Sequence, residues 1–284
     1  MQHILVPTDF SNNAYSALFY ATQLLKGERC SFCLLNTYDH RTPLLGGNGL
    51  LLASKKKRER LKKESRDQLL ATKHRIVRDT ENNQHRFKVL SVHGELVATI
   101  KKELEEHHYD LIVMGNKGLT QTADIFFGSN TIQVVQALNR LPLLAVPGEM
   151  NYAPPKEIAL VTDYRTGCDA ETLAPLLFFA EGTRANVRVV HVATAEALGA
   201  TKEANRERLE DCLAHRAPSF HTLEETDDKA KVIDHFLRTM KIDLFAMVNR
   251  EKSLFERLTR EPVIKDVSMY SEVPLLVLPQ VVSP

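Results

Sequence analysis

The sequence predicts an α/β fold: two tandem open parallel five-stranded sheets, each with helices on both faces. Three observations predict it. Short apolar runs alternate with amphipathic segments, as a parallel sheet wrapped by helices requires. The apolar runs are nearly continuous, as in strands buried on both faces. The same order of elements then recurs in the second half of the chain.

The recurrence is visible residue by residue. His3-Ile4-Leu5-Val6-Pro7-Thr8-Asp9-Phe10 matches Glu157-Ile158-Ala159-Leu160-Val161-Thr162-Asp163-Tyr164. An amphipathic segment follows each, Ala14 to Leu25 and Ala170 to Glu181. Second strands follow at Ser31 to Thr37 and Asn186 to Ala193. Tyr109 to Met114 matches Ile242 to Val248, and Leu141 to Pro147 matches Val273 to Pro279. In the first half the strands are expected near residues 3–7, 31–37, 87–92, 110–114 and 143–146. Helices are expected from about Ala53 to Arg78 and from about Leu96 to His107. Residues 148–156, with Pro154-Pro155, read as a linker, giving domains 1–148 and 156–284.

Bulk properties limit the function. The 284 residues carry 37 Lys+Arg against 36 Asp+Glu, a formal net charge of +1. That balance argues against a general nucleic-acid binder. No apolar run approaches the ~18 residues that would span a bilayer, and no signal peptide is visible, so the expected location is cytoplasmic with no membrane partner. Cys30 and Cys33 have a C-x-x-C spacing, but on a strand they face opposite sides and are not expected to share a metal. The basic run Lys55-Lys56-Lys57-Arg58-Glu59-Arg60-Leu61-Lys62-Lys63 reads first as the solvated face of a helix. A nucleic-acid or acidic-lipid patch is its functional alternative.

The chemistry-bearing motif follows the fourth strand. Gly115-Asn116-Lys117-Gly118, then Gly128-Ser129-Asn130, has the form Gly-x2-Gly-x9-Gly-Ser. Glycines let backbone N–H groups approach an anion closely, and a helix start offers unpaired N–H donors. Each residue has a plainer alternative. Gly115 and Gly118 could form a tight turn, and Lys117 could be an exposed loop residue. Ser129 could cap a helix starting near Asn130, and Asp9 could be a cap or turn residue.

Pro7-Thr8-Asp9-Phe10-Ser11 after the first strand, together with this glycine motif, resembles the universal stress protein (UspA-like) superfamily. More narrowly, the chain is similar to the tandem-domain, ATP-binding branch. The resemblance implies strand order 3-2-1-4-5 and an adenine-nucleotide site at the carboxyl ends of strands one, two and four. Pro7, Thr8 and Asp9 would line the ribose and adenine side, and Thr37 would face the adenine edge. Met114 and Gly115 would pass beneath the nucleotide. Lys117, Gly118, Gly128, Ser129 and Asn130 would hold the phosphates of ATP, with or without Mg2+. The family's dimerisation through the last strand implies an internal pseudo-dimer pairing Leu143–Val146 with Leu275–Leu278, and leaves room for a further homodimer.

In the second half, the sequence comparison sets Asn249 opposite Gly115 and Lys252 opposite Gly118. Arg260-Glu261-Pro262 falls near Gly128-Ser129. One competent nucleotide site per chain is therefore expected. There is no G-x-x-x-x-G-K-[ST] loop and no H-R-D with D-F-G. Asp9 and Asp124 are the acids near the site. No catalytic or metal-ligating residue is nominated. The expected activity is that of a nucleotide-dependent regulator with an unidentified protein partner; a slow ATPase or phosphotransferase using the same site is the alternative.

Overall fold

The computed structural model describes residues 1–38, 48–116, 128–138, 140–148, 150–165, 169–193, 198–224, 229–249 and 273–279. The first half contains β1 (Gln2–Pro7), α1 (Asn12–Leu24), β2 (Cys30–Tyr38), α2 (Asn48–Thr80), β3 (His85–His93), α3 (Leu96–Glu106), β4 (Leu111–Gly115), α4 (Ser129–Ala137) and β5 (Leu143–Val146). The second contains β6 (Glu157–Thr162), α5 (Ala170–Thr183), β7 (Asn186–Ala193), α6 (Ala200–Leu213), β8 (Ser219–Glu224), α7 (Lys229–Thr239), β9 (Leu244–Val248) and β10 (Leu275–Leu278).

The two expected sheets are in fact one. Ten strands run in the order β3-β2-β1-β4-β5-β10-β9-β6-β7-β8. Each half keeps the order 3-2-1-4-5 with parallel pairing, and the halves meet where β5 and β10 pair antiparallel. Leu276 sits opposite Leu144, and Val277 opposite Leu143. The fusion has a simple cause. Both strands are apolar on both faces and would otherwise leave unpaired N–H and C=O groups at an edge.

Side chains alternate across this sheet into two apolar layers. Ile4, Val6, Phe32, Leu34, Leu144 and Leu276 face one layer. Leu5, Cys33, Leu35, Leu143, Ala145 and Val277 face the other. Each layer runs through both halves, so the halves share both layers of the core. Cys30 and Cys33 fall in different layers, as the strand spacing predicts. Burial pushes both thiols up, Cys30 to about 12, which keeps them protonated and unreactive.

The recurring Asp before the fourth strand has a structural reason. Asp110 Oδ2 accepts from His3 N at 2.7 Å. Asp243 Oδ2 accepts from Lys156 N at 2.8 Å and Glu157 N at 3.0 Å. In both halves this carboxylate ties the start of the first strand to the start of the fourth.

Two stability predictions arise here. A methyl group added at Gly148 would lie 1.7 Å from Asn13 Oδ1, and Asn13 is buried in α1. Gly148→Ala is therefore expected to cost about 1–3 kcal/mol, read as a lowered urea midpoint. His85 is buried edge-on against the stacked rings of Phe32 and Phe87, and its Nε2–H donates to Leu25 O at 3.1 Å. Burial holds its pKa below the ordinary 6.5 despite that bond. The neutral ring is the folded form, so its contribution is complete above the ordinary value. It is lost as pH falls through that value toward the lowered one. Melting temperature should fall on acidification from about pH 8 to pH 5, and less steeply in His85→Gln.

Candidate functional site

Pro7, Thr8, Asp9, Thr37, Met114 and Gly115 lie at or just beyond the carboxyl ends of β1, β2 and β4. Pro7 is the buried last residue of β1 and pairs with Leu35 of β2. Thr8 N donates to Leu35 O at 2.8 Å, extending that ladder by one residue. Thr37 lies further along β2, partly buried. On the other side, β1 pairs with β4 through Leu5 and Ile112. Met114 is buried and Gly115 half-buried at the end of β4.

The turn after β1 is built by its own side chains. Thr8 Oγ1 accepts from Phe10 N at 3.0 Å, and Asp9 Oδ1 accepts from Ser11 N at 3.1 Å. Phe10 then takes a left-handed φ of 66°. Ser11, not Asp9, caps α1, accepting from Ala14 N at 3.1 Å. The second half repeats the arrangement. Thr162 Oγ1 accepts from Tyr164 N, Asp163 Oδ1 from Arg165 N, and Tyr164 has φ 52°. The recurrence of Thr-Asp thus reports a turn that both halves share.

A supporting residue escaped the sequence reading. Asn36 Nδ2 donates to Thr8 O at 2.7 Å, while Asn36 Oδ1 accepts from Ser65 Oγ at 2.7 Å. Ser65 also lies 2.7 Å from Ser91 Oγ. This buried polar chain fixes the Thr8 carbonyl from below and ties β2 and β3 to α2. Its signal was a lone amide in an otherwise apolar strand. His191 stands at the same place in the second half, with Nδ1 3.0 Å from Thr162 O.

The start of α4 is drawn onto the end of β4. Gly128 N donates to Asn116 O at 2.6 Å, and Thr131 Oγ1 donates to Gly115 O at 2.9 Å. The helix begins at Ser129, one residue earlier than expected, so Gly128 is its cap and Ser129 is not. Gly128 supplies no capping side chain, and Ser129 and Asn130 are exposed. The first N–H groups of the helix therefore point out of its end with no side chain of Gly128 over them. Lys117, Gly118 and Asp124 lie outside the described residues.

Neither described glycine is required by its own backbone. Gly128 has φ −62° and ψ 149°, which any residue adopts. Among the described glycines only Gly94 has a positive φ, so Gly115 too is in an ordinary conformation.

The structure corrects the comparison of the halves by one residue. Asn116 N donates to Val146 O at 2.8 Å, and Asn249 N donates to Leu278 O at 2.7 Å. Asn249 is thus the counterpart of Asn116, and Val248 is the counterpart of Gly115. The β4 and β9 strands are each five residues long, and each is followed by this asparagine. Asn249 also reaches the first half: its Nδ2 donates to Val135 O at 2.7 Å and Leu138 O at 3.2 Å, at the end of α4. Lys252, Glu261 and Pro262 lie outside the described residues.

Other chemistry is sparse among the described residues. Glu103, Glu106 and His107 cluster on the last turn of α3, beside the start of β4 and so away from its glycine end. They are already engaged: His107 Nδ1 is 3.4 Å from Glu103, and Lys102 Nζ is 3.7 Å from Glu106. An open, mainly apolar groove of about 590 Å3 lies between β8 and α7, lined by Leu223, Val232, Phe236 and Met240 among others. No described helix is long and apolar enough to cross a membrane.

Comparison with known proteins places this architecture. Residues 1–147 match the universal stress protein family. A universal stress protein of Methanocaldococcus jannaschii is 31% identical over 153 residues, covering 50% of this chain and 93% of the relative. The crystal structure of a universal stress protein from Archaeoglobus fulgidus superposes with TM-score 0.65 at 17% identity, covering 98% of this chain and 96% of that one. A functionally unknown protein of Pseudomonas aeruginosa PAO1 superposes with TM-score 0.57 at 16% identity, covering 98% and 92%. At these identities the two structural likenesses establish the fold of both halves and nothing further. With the family match covering more than half its length, the chain belongs to the universal stress protein family.

Proposed function

We propose that the chain is a nucleotide-dependent regulator in stress response, binding one adenine nucleotide at the carboxyl ends of β1, β2 and β4. Residues 1–148 form the nucleotide-binding domain and residues 156–284 a degenerate partner domain. The observation that carries this reading is the pair Gly115 and Gly128. Their backbones do not demand glycine, and in this reading their lack of side chains leaves room for a ligand that approaches the end of β4 closely. The site also lies at the topological switch point, between β1 and β4, where open α/β sheets hold ligands.

The residues present fit a nucleoside triphosphate. The uncovered start of α4 offers N–H donors and the positive end of a helix dipole to phosphate oxygens. Lys117 and Gly118, next in sequence after Asn116, would add a charge and a further glycine. Asp9 offers carboxylate acceptors to ribose hydroxyls, held in place by its bond from Ser11 N. Pro7, Thr8 and Thr37 flank the base, and Met114 lies beneath it. An accompanying Mg2+ would be held by phosphate oxygens and water. In the second half Val248 puts a branched side chain at the position of Gly115, so one site per chain is the reading.

Occupancy rather than turnover is the proposed output. Small molecules released from freshly purified protein should include an adenine nucleotide, and calorimetry should give about one ATP per chain, with hydrolysis no faster than background. Absence of any adenine nucleotide, together with no thermal shift on adding ATP, would overturn the proposal. Steady turnover that disappears in Asp9→Ala would establish the slow ATPase instead.

A further inference from the structure

The helix whose start faces the proposed phosphate site is short. α4 has nine residues, fewer than an isolated helix needs to hold its shape in water. Its place is therefore set by what it packs on and by what holds its ends. Val134 and Val135 bury one face in the layer that also contains Leu143, Ala145 and Val277. The start is held from within the first half, by Asn116 O and Gly115 O.

The other end is held from the second half. Leu138 turns extended after the last helical residue, and the last turn carries no basic side chain to meet its carbonyls. Asn249 Nδ2 meets them instead, donating to Val135 O and Leu138 O. Asn249 is itself fixed, because its N–H donates to Leu278 O in β10. β10 pairs with β5 through Val277 and Leu143, and β5 is the next element after α4 in the chain. A closed ring results, running from α4 through Asn249, β10 and β5 back to α4.

This contact is not a by-product of the turn after the strand. Asn116 makes the same backbone bond in the first half, yet its Oδ1 is buried with no hydrogen-bond partner among the described residues. The turn uses the backbone N–H, and the side-chain amide of Asn249 is left to serve α4.

We propose that Asn249 is a positioning residue of the nucleotide site, through which the second half sets the affinity of the site in the first. This rests on the nucleotide reading above and adds what regulates it. Helix N–H groups bind phosphate only while they stay aimed at it, and α4, about 13 Å long, moves as one piece. Loosening its far end lets its start swing off the phosphates. Linkage makes the coupling reciprocal: a nucleotide that fixes the start of α4 also steadies Asn249 and β10. The second half, degenerate as a binding site, thereby reads the occupancy of the first.

The test compares two variants of the full-length protein. Asn249→Ala removes the hold on α4. Asn205→Ala breaks another buried bond of the second half, to Tyr164 O, on α6. That helix packs through Leu209 and Leu213 into the other apolar layer, across the sheet from α4. At a temperature where both variants stay folded, ATP should bind about five- to tenfold more weakly to Asn249→Ala and with unchanged affinity to Asn205→Ala. Without nucleotide, hydrogen exchange read residue by residue should quicken along all of α4 in Asn249→Ala, including the Ile132 amide near its start. In the native protein, ATP should slow exchange at the Asn249 amide. Native affinity in Asn249→Ala, or an equal loss in both variants, would overturn the proposal. So would quickened exchange confined to the last turn of α4. If the native protein binds no ATP, the nucleotide reading fails by itself, and exchange at Ile132 still decides whether Asn249 positions the start of α4.

Discussion

Gly115→Val is expected to lower ATP affinity about hundredfold or more while leaving the fold intact. The second half has already performed this substitution, since Val248 ends β9 where Gly115 ends β4. A valine is therefore compatible with the sheet, with the following asparagine and with the bond from that asparagine to the neighbouring strand. What it is not compatible with is a nucleotide lying against the strand end. Displacing the ligand by even one ångström breaks several short hydrogen bonds together, each worth about 1.5–3 kcal/mol when a charged group is involved. Two such losses already exceed a hundredfold. Calorimetric titration with ATP reads the affinity, and the urea midpoint of the ligand-free protein reads the fold. Unchanged affinity would remove the proposed phosphate cradle; a large loss of stability would show that Gly115 serves packing instead.

Asn249→Asp is expected to destabilise the protein by about 2–4 kcal/mol near neutral pH. The native amide donates to two carbonyl oxygens at the end of α4. The carboxylate would donate nothing and would bring negative charge to the negative end of a helix dipole. Asn249→Ala, which removes the donor without adding charge, should cost roughly half as much. The pH dependence identifies the mechanism. As pH falls, the Asp variant should recover toward the Ala variant, because a protonated carboxyl regains one O–H donor. Urea unfolding of both variants across acidic pH measures this. Equal, pH-independent losses would mean that the amide acts by shape alone.

The architecture was largely legible because it rests on patterns many residues long. Continuous apolar runs such as Leu111 to Met114 and Leu143 to Val146 mark strands buried on both faces, and the repetition of those runs fixes their order. The antiparallel seam at Leu144 and Leu276 follows from the same apolar character. Finer features depend on single bonds that composition does not encode. Asn249 was set one position out of register because loops after a strand carry no periodicity, whereas one N–H to Leu278 O decides the matter. Ser129 resembled a cap by residue type, yet the bond from Gly128 N to Asn116 O starts the helix one residue earlier. Asn36 was missed because its partner, Ser65, is distant in sequence and sits on a helix whose length the charge pattern hid. Asp9 takes the turn role that its residue type allows, and its bond from Ser11 N, with that from Phe10 N to Thr8 Oγ1, builds the turn.

The antiparallel seam gives the molecule a polarity. Because β10 runs against β5, every strand of the second half points the opposite way from those of the first. The end of β4 at Gly115 therefore emerges at one pole, and the end of β9 at Val248 and Asn249 at the other. The helix α4 spans the distance between them, with its start bonded to Gly115 O and its end held by Asn249. A symmetric pair of identical chains would look the same from either pole. This single chain does not, so a surface or partner approaching from one side meets different chemistry from one approaching from the other.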